Sequence, residues 1–351
     1  MRIYFYHTQD IQYILSEHEK GHFPGHMLYG ATYLEKMGFD IVWHQFIPGA
    51  SRLKRMLTTS WRILKLGRSI DAVYATHYTG IEPIIFLRAL RIFRKPVIIW
   101  HHQPVIRPKS KLRDILGWLF YRGIDDMFFF SQKLIDDSLA TGKVEAKRLH
   151  LGYWGADLSF YDALQDEMPA RNGFISSGKE WRDVPTLITA FNRMGAPIDI
   201  YLPVECCGFS YKKQLEGMKT AENVKVYLGK KMWIAEFARE VNRHSCVVIC
   251  CEPKKYTVGL TTLVEAMALG LPVICSRNPQ FPVDVDKVGC GISVPYHDVD
   301  AWCDAIDFMM SHRKEAAAMG MRGRKLAERV YNDVHCAEIV ASVLRKYDRK
   351  K

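Results

Sequence analysis

Residues 246–275 read CVVICCEPKKYTVGLTTLVEAMALGLPVIC. Two short apolar runs, Cys246–Cys250 and Pro272–Cys275, flank a helical stretch at Thr262–Leu269 that ends at Gly270-Leu-Pro272. Both runs are apolar on successive residues, so each is buried on both faces, and a helix connects them. That is a strand–helix–strand unit of a parallel sheet. The same alternation extends outward in both directions. Strands are predicted at Phe174–Ser177, Ile198–Leu202, Val224–Leu228 and Gly291–Val294, with helices at Thr186–Arg193, Trp233–Asn242 and Ala301–Met310. Before them, Arg2–Tyr6, Phe39–His44, Ala72–Tyr74, Pro96–Trp100, Met127–Phe130 and His150–Leu151 read as strands. Helices at Met27–Met37, Ile81–Phe93, Leu112–Tyr121 and Gln132–Ala140 lie among them. The tail Lys314–Tyr347 reads as one or two helices broken near Asn332-Asp333. The pattern restarts after the polar stretch Asp166–Gly173, which is suited to a linker. The expected fold class is therefore α/β, with two tandem Rossmann-like, doubly wound parallel-sheet domains facing across a cleft. Expected domains are 1–168, 169–331, and a C-terminal helix over 332–351 that packs back on the first domain.

Composition excludes several classes. The chain has 351 residues, 48% of them hydrophobic and 25% charged, which are globular values rather than those of a disordered protein. No run reaches the ~18 apolar residues of a membrane span, and the polar start is unlike a signal peptide, so a cytoplasmic location is expected. The nine cysteines show no metal-ligand spacing and read as free thiols in a reducing compartment.

Charge is less ordinary. Net charge is +11, and residues 1–160 hold 22 Lys/Arg against 14 Asp/Glu. Ser51–Ser69 carries Arg52, Lys54, Arg55, Arg62, Lys65 and Arg68 with no acid, interleaved with Leu53, Leu57, Trp61 and Leu64. Arg107–Arg122 is similar, with Lys109, Lys111, Arg113 and Trp118. Basic amphipathic helices containing tryptophan favour anionic membrane surfaces, so the inner face of the cell membrane is an expected peripheral partner. An ordinary solvated helix face is the alternative. No nucleic-acid module accompanies the charge, and nucleic acid is not an expected partner.

Two segments carry chemistry. In Phe174-Ile-Ser-Ser-Gly-Lys-Glu-Trp-Arg-Asp183 a strand ends in a small-residue turn, and Lys179 and Arg182 precede a helix. Amides and cations placed there favour a diphosphate. In Tyr256–Cys275, Gly259 relaxes the loop, Thr261 and Thr262 open a helix, and Glu265 lies one turn inside it. A carboxylate so placed can accept hydrogen bonds from two vicinal hydroxyls of a ribose.

Together these segments resemble family 4 glycosyltransferases of the two-Rossmann, GT-B type. Gly259–Ser276 resembles that family's LxEAMAxGxPVI block, and Ser177–Asp183 its phosphate loop, with Lys179 in the place of an arginine and Arg182 in that of a lysine. Leu151–Asp157 with Phe160 is similar to the segment closing the first domain, and Val288–Gly291, Val294, Pro295 and Asp298 to a late turn. The resemblance implies an enzyme that moves a sugar from a nucleotide-sugar donor, a UDP- or GDP-sugar, to a glycan or lipid-linked acceptor in polysaccharide biosynthesis. It implies retention of anomeric configuration, with no metal and no other cofactor. Lys179 and Arg182 would neutralise the leaving diphosphate, and His102, after strand Pro96–Trp100, would face the donor. Gly178, Thr257, Gly259, Thr261, Thr262 and Glu265 would form the donor site; Gly21, Gly25 and His26 an acceptor-side loop. One departure stands out. The family shows two glutamates separated by seven residues, and Thr257 occupies the earlier place. That opens a second reading, a non-catalytic partner or scaffold on the same fold. A third, an epimerase on this architecture, needs an acid/base pair that the sequence does not display.

Overall fold

The computed structural model describes residues 1–164 and 170–348. By internal contacts the chain divides into two units. Unit 1 comprises Met1–Lys20, Gly25–Trp154 and Asp333–Lys351; unit 2 comprises Gly21–Pro24 and Gly155–Asn332.

Unit 1 contains β1 (Arg2–Tyr6), α1 (Ile11–Glu19), α2 (Ala31–Leu34), β2 (Asp40–Trp43), α3 (Arg52–Leu66), β3 (Ala72–Ala75), α4 (Glu82–Ala89), β4 (Val97–Trp100), α5 (Lys111–Arg122), β5 (Asp126–Phe129), α6 (Gln132–Leu139) and β6 (Leu149–Leu151). Its sheet is parallel, ordered β2-β1-β3-β4-β5-β6. In β3, β4 and β5 every residue is buried, as expected of parallel strands covered on both faces.

Unit 2 contains α7 (Leu158–Asp162), β7 (Phe174–Ser177), α8 (Val184–Met194), β8 (Ile198–Leu202), the short antiparallel pair β9 (Glu205–Cys206) and β10 (Phe209–Ser210), α9 (Tyr211–Leu215), β11 (Val224–Leu228), α10 (Ile234–Asn242), β12 (Cys246–Ile249), α11 (Leu260–Ala268), β13 (Val273–Ser276), α12 (Val285–Val288), β14 (Gly291–Val294), α13 (Val299–Ser311) and α14 (Arg313–Arg329). Its six-stranded parallel sheet runs β11-β8-β7-β12-β13-β14. In order of appearance that is 3-2-1-4-5-6, the doubly wound Rossmann arrangement. Phe174, Leu187, Phe191, Ile200, Val248, Trp302 and Ile306 centre its core. α15 (Asp333–Arg345) returns to unit 1, where Tyr347 Oη donates to Asp126 and Lys346 Nζ lies 3.2 Å from the same carboxylate.

Both expected parallel sheets are present. The division falls between Trp154 and Gly155 rather than after 168. Residues 166–169 of the expected linker lie outside the described residues. Those that follow are fixed on unit 2, where Arg171 Nη2 donates to Leu269 O (2.8 Å) and Asn172 N to Arg243 O (3.0 Å). The helix expected over 27–37 is also shorter. Gly25–Leu28 forms a single 3-10 turn and Gly30 takes φ +80° before α2 begins. A Cβ on Gly30 would sit 2.8 Å from Ala337 Cα, so packing of α15 fixes that break. All nine cysteines are free and seven are buried. Among the described residues no helix is long and apolar enough to cross a membrane.

Candidate functional site

A doubly wound sheet binds ligands beyond the carboxyl ends of its strands, where the strand order reverses. In unit 2 that point lies between β7 and β12, and the segments leaving them are 178–183 and 250–262. They are laced together. Asp183 N donates to Cys250 O (3.1 Å) and Glu252 N to Trp181 O (2.8 Å). Tyr256 Oη donates to Glu180 Oε2 (3.0 Å), and Lys254 Nζ sits 3.3 Å from the centre of the Trp181 ring.

Arg182 is the hub. It is only 4% exposed. Nε donates to Ser177 O (2.9 Å), Nη1 to Glu180 O (2.9 Å) and to Cys251 Sγ (3.3 Å), and Nη2 to Thr262 Oγ1 (3.4 Å). The guanidinium thus folds under its own loop and reaches the first turn of α11. Gly178 permits this, because a Cβ there would overlap Arg182 Nη2 at 1.9 Å. Lys179 is exposed and close enough to Glu265 to affect its ionisation. Gly259, at φ +91°, ends the loop, and a Cβ there would meet Ile249 Cγ2 at 2.5 Å. The amides of Thr261 and Thr262 lie in the first turn, before Leu263 N makes the first intrahelical bond to Gly259 O (3.0 Å), so the positive end of the helix opens here. Thr261 is exposed and Thr262 buried.

Glu265 lines a small enclosure with Tyr161, Ile234, Phe237, Ala238, Val241 and Leu269. Burial among these apolar groups raises its carboxyl to about 7, against the hydrogen bond from Tyr161 and the Lys179 charge, which lower it. The structure therefore gathers Gly178, Lys179, Arg182, Gly259, Thr261, Thr262 and Glu265 within one unit. Thr257 precedes them on the same loop, its carbonyl accepting from Leu260 N (3.1 Å).

Sequence spacing offers no metal set, because each group that could hold one includes a residue distant in the chain from the others. Three such groups are present among the described residues. The one nearest the site is Asp183, Glu252 and His297, which lie beyond β7, β12 and β14. His297 Nδ1 is 2.8 Å from Asp183 Oδ2, and its Nε2 3.5 Å from Glu252. The second pairs Glu180 with Cys206 and Cys207, and the third joins Asp199, Glu240 and His244.

In unit 1 the strand order reverses between β1 and β3, and a histidine follows each strand: His7 after β1 and His77 after β3, with His44 after β2 and His101 and His102 after β4. An apolar run closed by histidine is a signal visible in the sequence, yet of these only His102 is read there as a site residue. Gln9 N donates to His7 Nδ1 and Thr79 N to His77 Nδ1, both 2.9 Å. Each neutral ring therefore carries its proton on Nε2. Burial, then the neighbouring His102, lowers His7 to about 4 and His77 to about 3. His102 Nε2 lies 2.8 Å from Thr76 O, and its ring centroid is 5.0 Å from that of His77. His101 instead turns inward, with Nε2 3.2 Å from Tyr121 Oη.

The expected acceptor-side loop is divided. Gly21 belongs with unit 2, where the next residue, His22, stacks on Trp233 at 5.1 Å and accepts from Ala235 N (3.1 Å). Gly25 and His26 belong with unit 1, where both are buried. The His26 ring meets Trp154 edge-on at 5.2 Å, and its carbonyl accepts from Trp154 Nε1 at 3.1 Å.

Residues 164–326 match the family model of glycosyl transferases group 1. The matched residues lie in unit 2, and the match includes every donor-site residue named above. A curated relative, D-inositol 3-phosphate glycosyltransferase of Saccharomonospora viridis, is 33% identical over 82 residues, 23% of this chain and 19% of that protein. The match therefore spans about a fifth of that relative. Over the whole chain the likeness is one of fold. Anabaena HepE, solved in complex with UDP-glucose, is 15% identical with a TM-score of 0.67, covering 99% of this chain and 100% of that one. Sucrose-phosphate synthase from Thermosynechococcus elongatus is 13% identical with a TM-score of 0.70, covering 99% and 98%. The two-domain GT-B architecture is the one these enzymes share.

Proposed function

We propose that the protein is a retaining glycosyltransferase of family 4 that moves a sugar from a UDP- or GDP-sugar to a glycan or lipid-linked acceptor in polysaccharide biosynthesis. It works without a metal, at the cytoplasmic face of an anionic membrane. The observation that carries the donor half is the link from Arg182 Nη2 to Thr262 Oγ1, which joins the cationic turn after β7 to the amino end of α11. Breaking a glycosyl–phosphate bond leaves its electron pair, and hence the developing charge, on the diphosphate. The guanidinium held beneath the turn and the amides of Thr261 and Thr262 stabilise that charge with little reorganisation, and the exposed Lys179 adds a second cation. Glu265, one turn further along, accepts from the ribose hydroxyls. His102 offers its imidazole to sugar hydroxyls, beside the neutral rings of His7 and His77.

The test is calorimetry with UDP and GDP. The intact protein should bind one of them, and Lys179→Ala, an exposed change that leaves the turn intact, should weaken binding about tenfold or more. Absence of binding to either nucleotide overturns the donor assignment. Thr257 supports the second reading, a non-catalytic partner. A hydroxyl in place of the family's first glutamate carries no charge toward the donor sugar, and this reading predicts nucleotide binding without turnover. Hydrolysis or transfer from a panel of nucleotide-sugars decides between the two.

A further inference from the structure

α3 is built inside out. Its inward face carries Thr59, Ser60 and Ile63, while Leu53, Leu57, Trp61 and Leu64 form one stripe turned outward, each at least 45% exposed. A helix covering a sheet ordinarily does the reverse. α5 goes further, burying only Tyr121. Leu112, Ile115 and Leu116 form its outer stripe at i, i+3 and i+4, with Trp118 one turn beyond Ile115, and Ile106 is exposed just ahead of the helix. The crossovers β2→β3, β3→β4 and β4→β5 all move the same way across the sheet. Right-handed connections therefore place α3, α4 and α5 on one face, and α4 packs against both of the others. Of the 17 large hydrophobic residues exposed among the described residues, 11 lie between Leu53 and Trp118.

Cations rim these stripes. Lys54 and Lys65 border the α3 stripe, with Lys65 Nζ 5.3 Å from the centre of the Trp61 ring; Arg122 stands 5.5 Å from that of Trp118. α3 has no acid. The one acid of α5, Asp114, is held by Lys143 (2.7 Å) and Arg107 (3.8 Å). An apolar ridge with two tryptophans and a cationic border is complementary to a bilayer of anionic lipid, in which hydrocarbon takes the leucines, the interface takes the indoles and headgroups take the lysines. A two-fold pairing of this face with a second copy would bring cationic borders together. Nucleic acid offers phosphate but no apolar medium for Leu53, Leu57, Leu112 and Ile115.

We propose that the face formed by α3 and α5 docks unit 1 on an anionic membrane, with the leucine stripes of both helices and Trp61 and Trp118 entering the headgroup boundary. This deepens the membrane part of the function above, but it rests on unit 1 alone and stands whether or not the donor assignment does.

Flotation of the full chain with phosphatidylcholine vesicles, with and without phosphatidylglycerol, is the test. Binding is expected only with the anionic lipid, weakening as salt rises. Leu57→Ser/Trp61→Ser and Trp118→Ser should each reduce it about tenfold with thermal unfolding unchanged, and Lys54→Gln/Lys65→Gln should flatten the salt dependence. Nucleotide affinity, measured on the same variants, should not move. No flotation with anionic vesicles at low salt overturns the proposal. So does binding that ignores these substitutions, and so does a dimer in solution, or bound nucleic acid, that the Trp61→Ser variant loses.

Discussion

The two sheets offer their switch points to different chemistry. In unit 2 the crevice beyond β7 and β12 holds Lys179, Arg182, a helix amino end and a carboxylate. In unit 1 the corresponding crevice beyond β1 and β3 holds His7 and His77, whose rings burial keeps neutral. Two doubly wound sheets of different strand order therefore set cations at one switch point and uncharged imidazoles at the other, and the difference lies in a few residues after each strand. A polyhydroxyl ligand needs donors and acceptors but no net charge, whereas a diphosphate needs cations.

The sharpest way to break this comparison is Gly178→Ala. The added carbon overlaps Arg182 Nη2, so the guanidinium must leave Ser177 O and Thr262, and nucleotide diphosphate affinity should fall about a hundredfold. Calorimetry measures it; an unchanged affinity would separate Arg182 from the anion site.

Glu265 sharpens the contrast through pH. Its folded value near 7 lies above its ordinary 4.5. The stability it contributes is fully present below about 4.5 and is lost as pH rises through about 7. Unfolding free energies from denaturant titrations should decline across that window by about 1–3 kcal/mol, and Glu265→Gln should remove the decline. A ribose held by the ionised carboxylate should also release a proton on nucleotide binding near neutral pH, seen as a buffer-dependent enthalpy that the glutamine variant lacks.

The smallest effect is expected on the other side. His77→Asn should leave nucleotide affinity within about twofold while lowering sugar transfer about tenfold. Because the His77 ring is neutral throughout, the transfer profile should show no step from it between about pH 5 and pH 8.

The legibility of the sequence follows the same line. Short β-rich runs bounded by turn residues announce themselves even where a polar residue interrupts them, so Ile198–Leu202, with Asp199, and Gly291–Val294, with Ser293, are readable to the residue. The two segments proposed to hold the diphosphate are legible as strand–turn–helix junctions because their turn signals are local. The contributions of Tyr161, Glu180 and Tyr256 were not, since each depends on a side-chain bond across 76 or more positions or on an apolar wall around Glu265. His7 and His77 escaped notice because a single histidine after a strand is ordinary until folding sets it at a switch point. The helix expected over 27–37 failed for a related reason. Local periodicity continues through Gly30, and only α15, three hundred residues later, demands a glycine there.

That last contact has a consequence for how the chain is made. α15 belongs to unit 1, packing Ala337 on Gly30 and holding Asp126 through Lys346 and Tyr347. Unit 1 thus waits for α15, while unit 2 is fully synthesised before that helix. Nascent chains should complete their N-terminal half last, and a stop codon after Asn332 would leave it without its closing piece while sparing the other half.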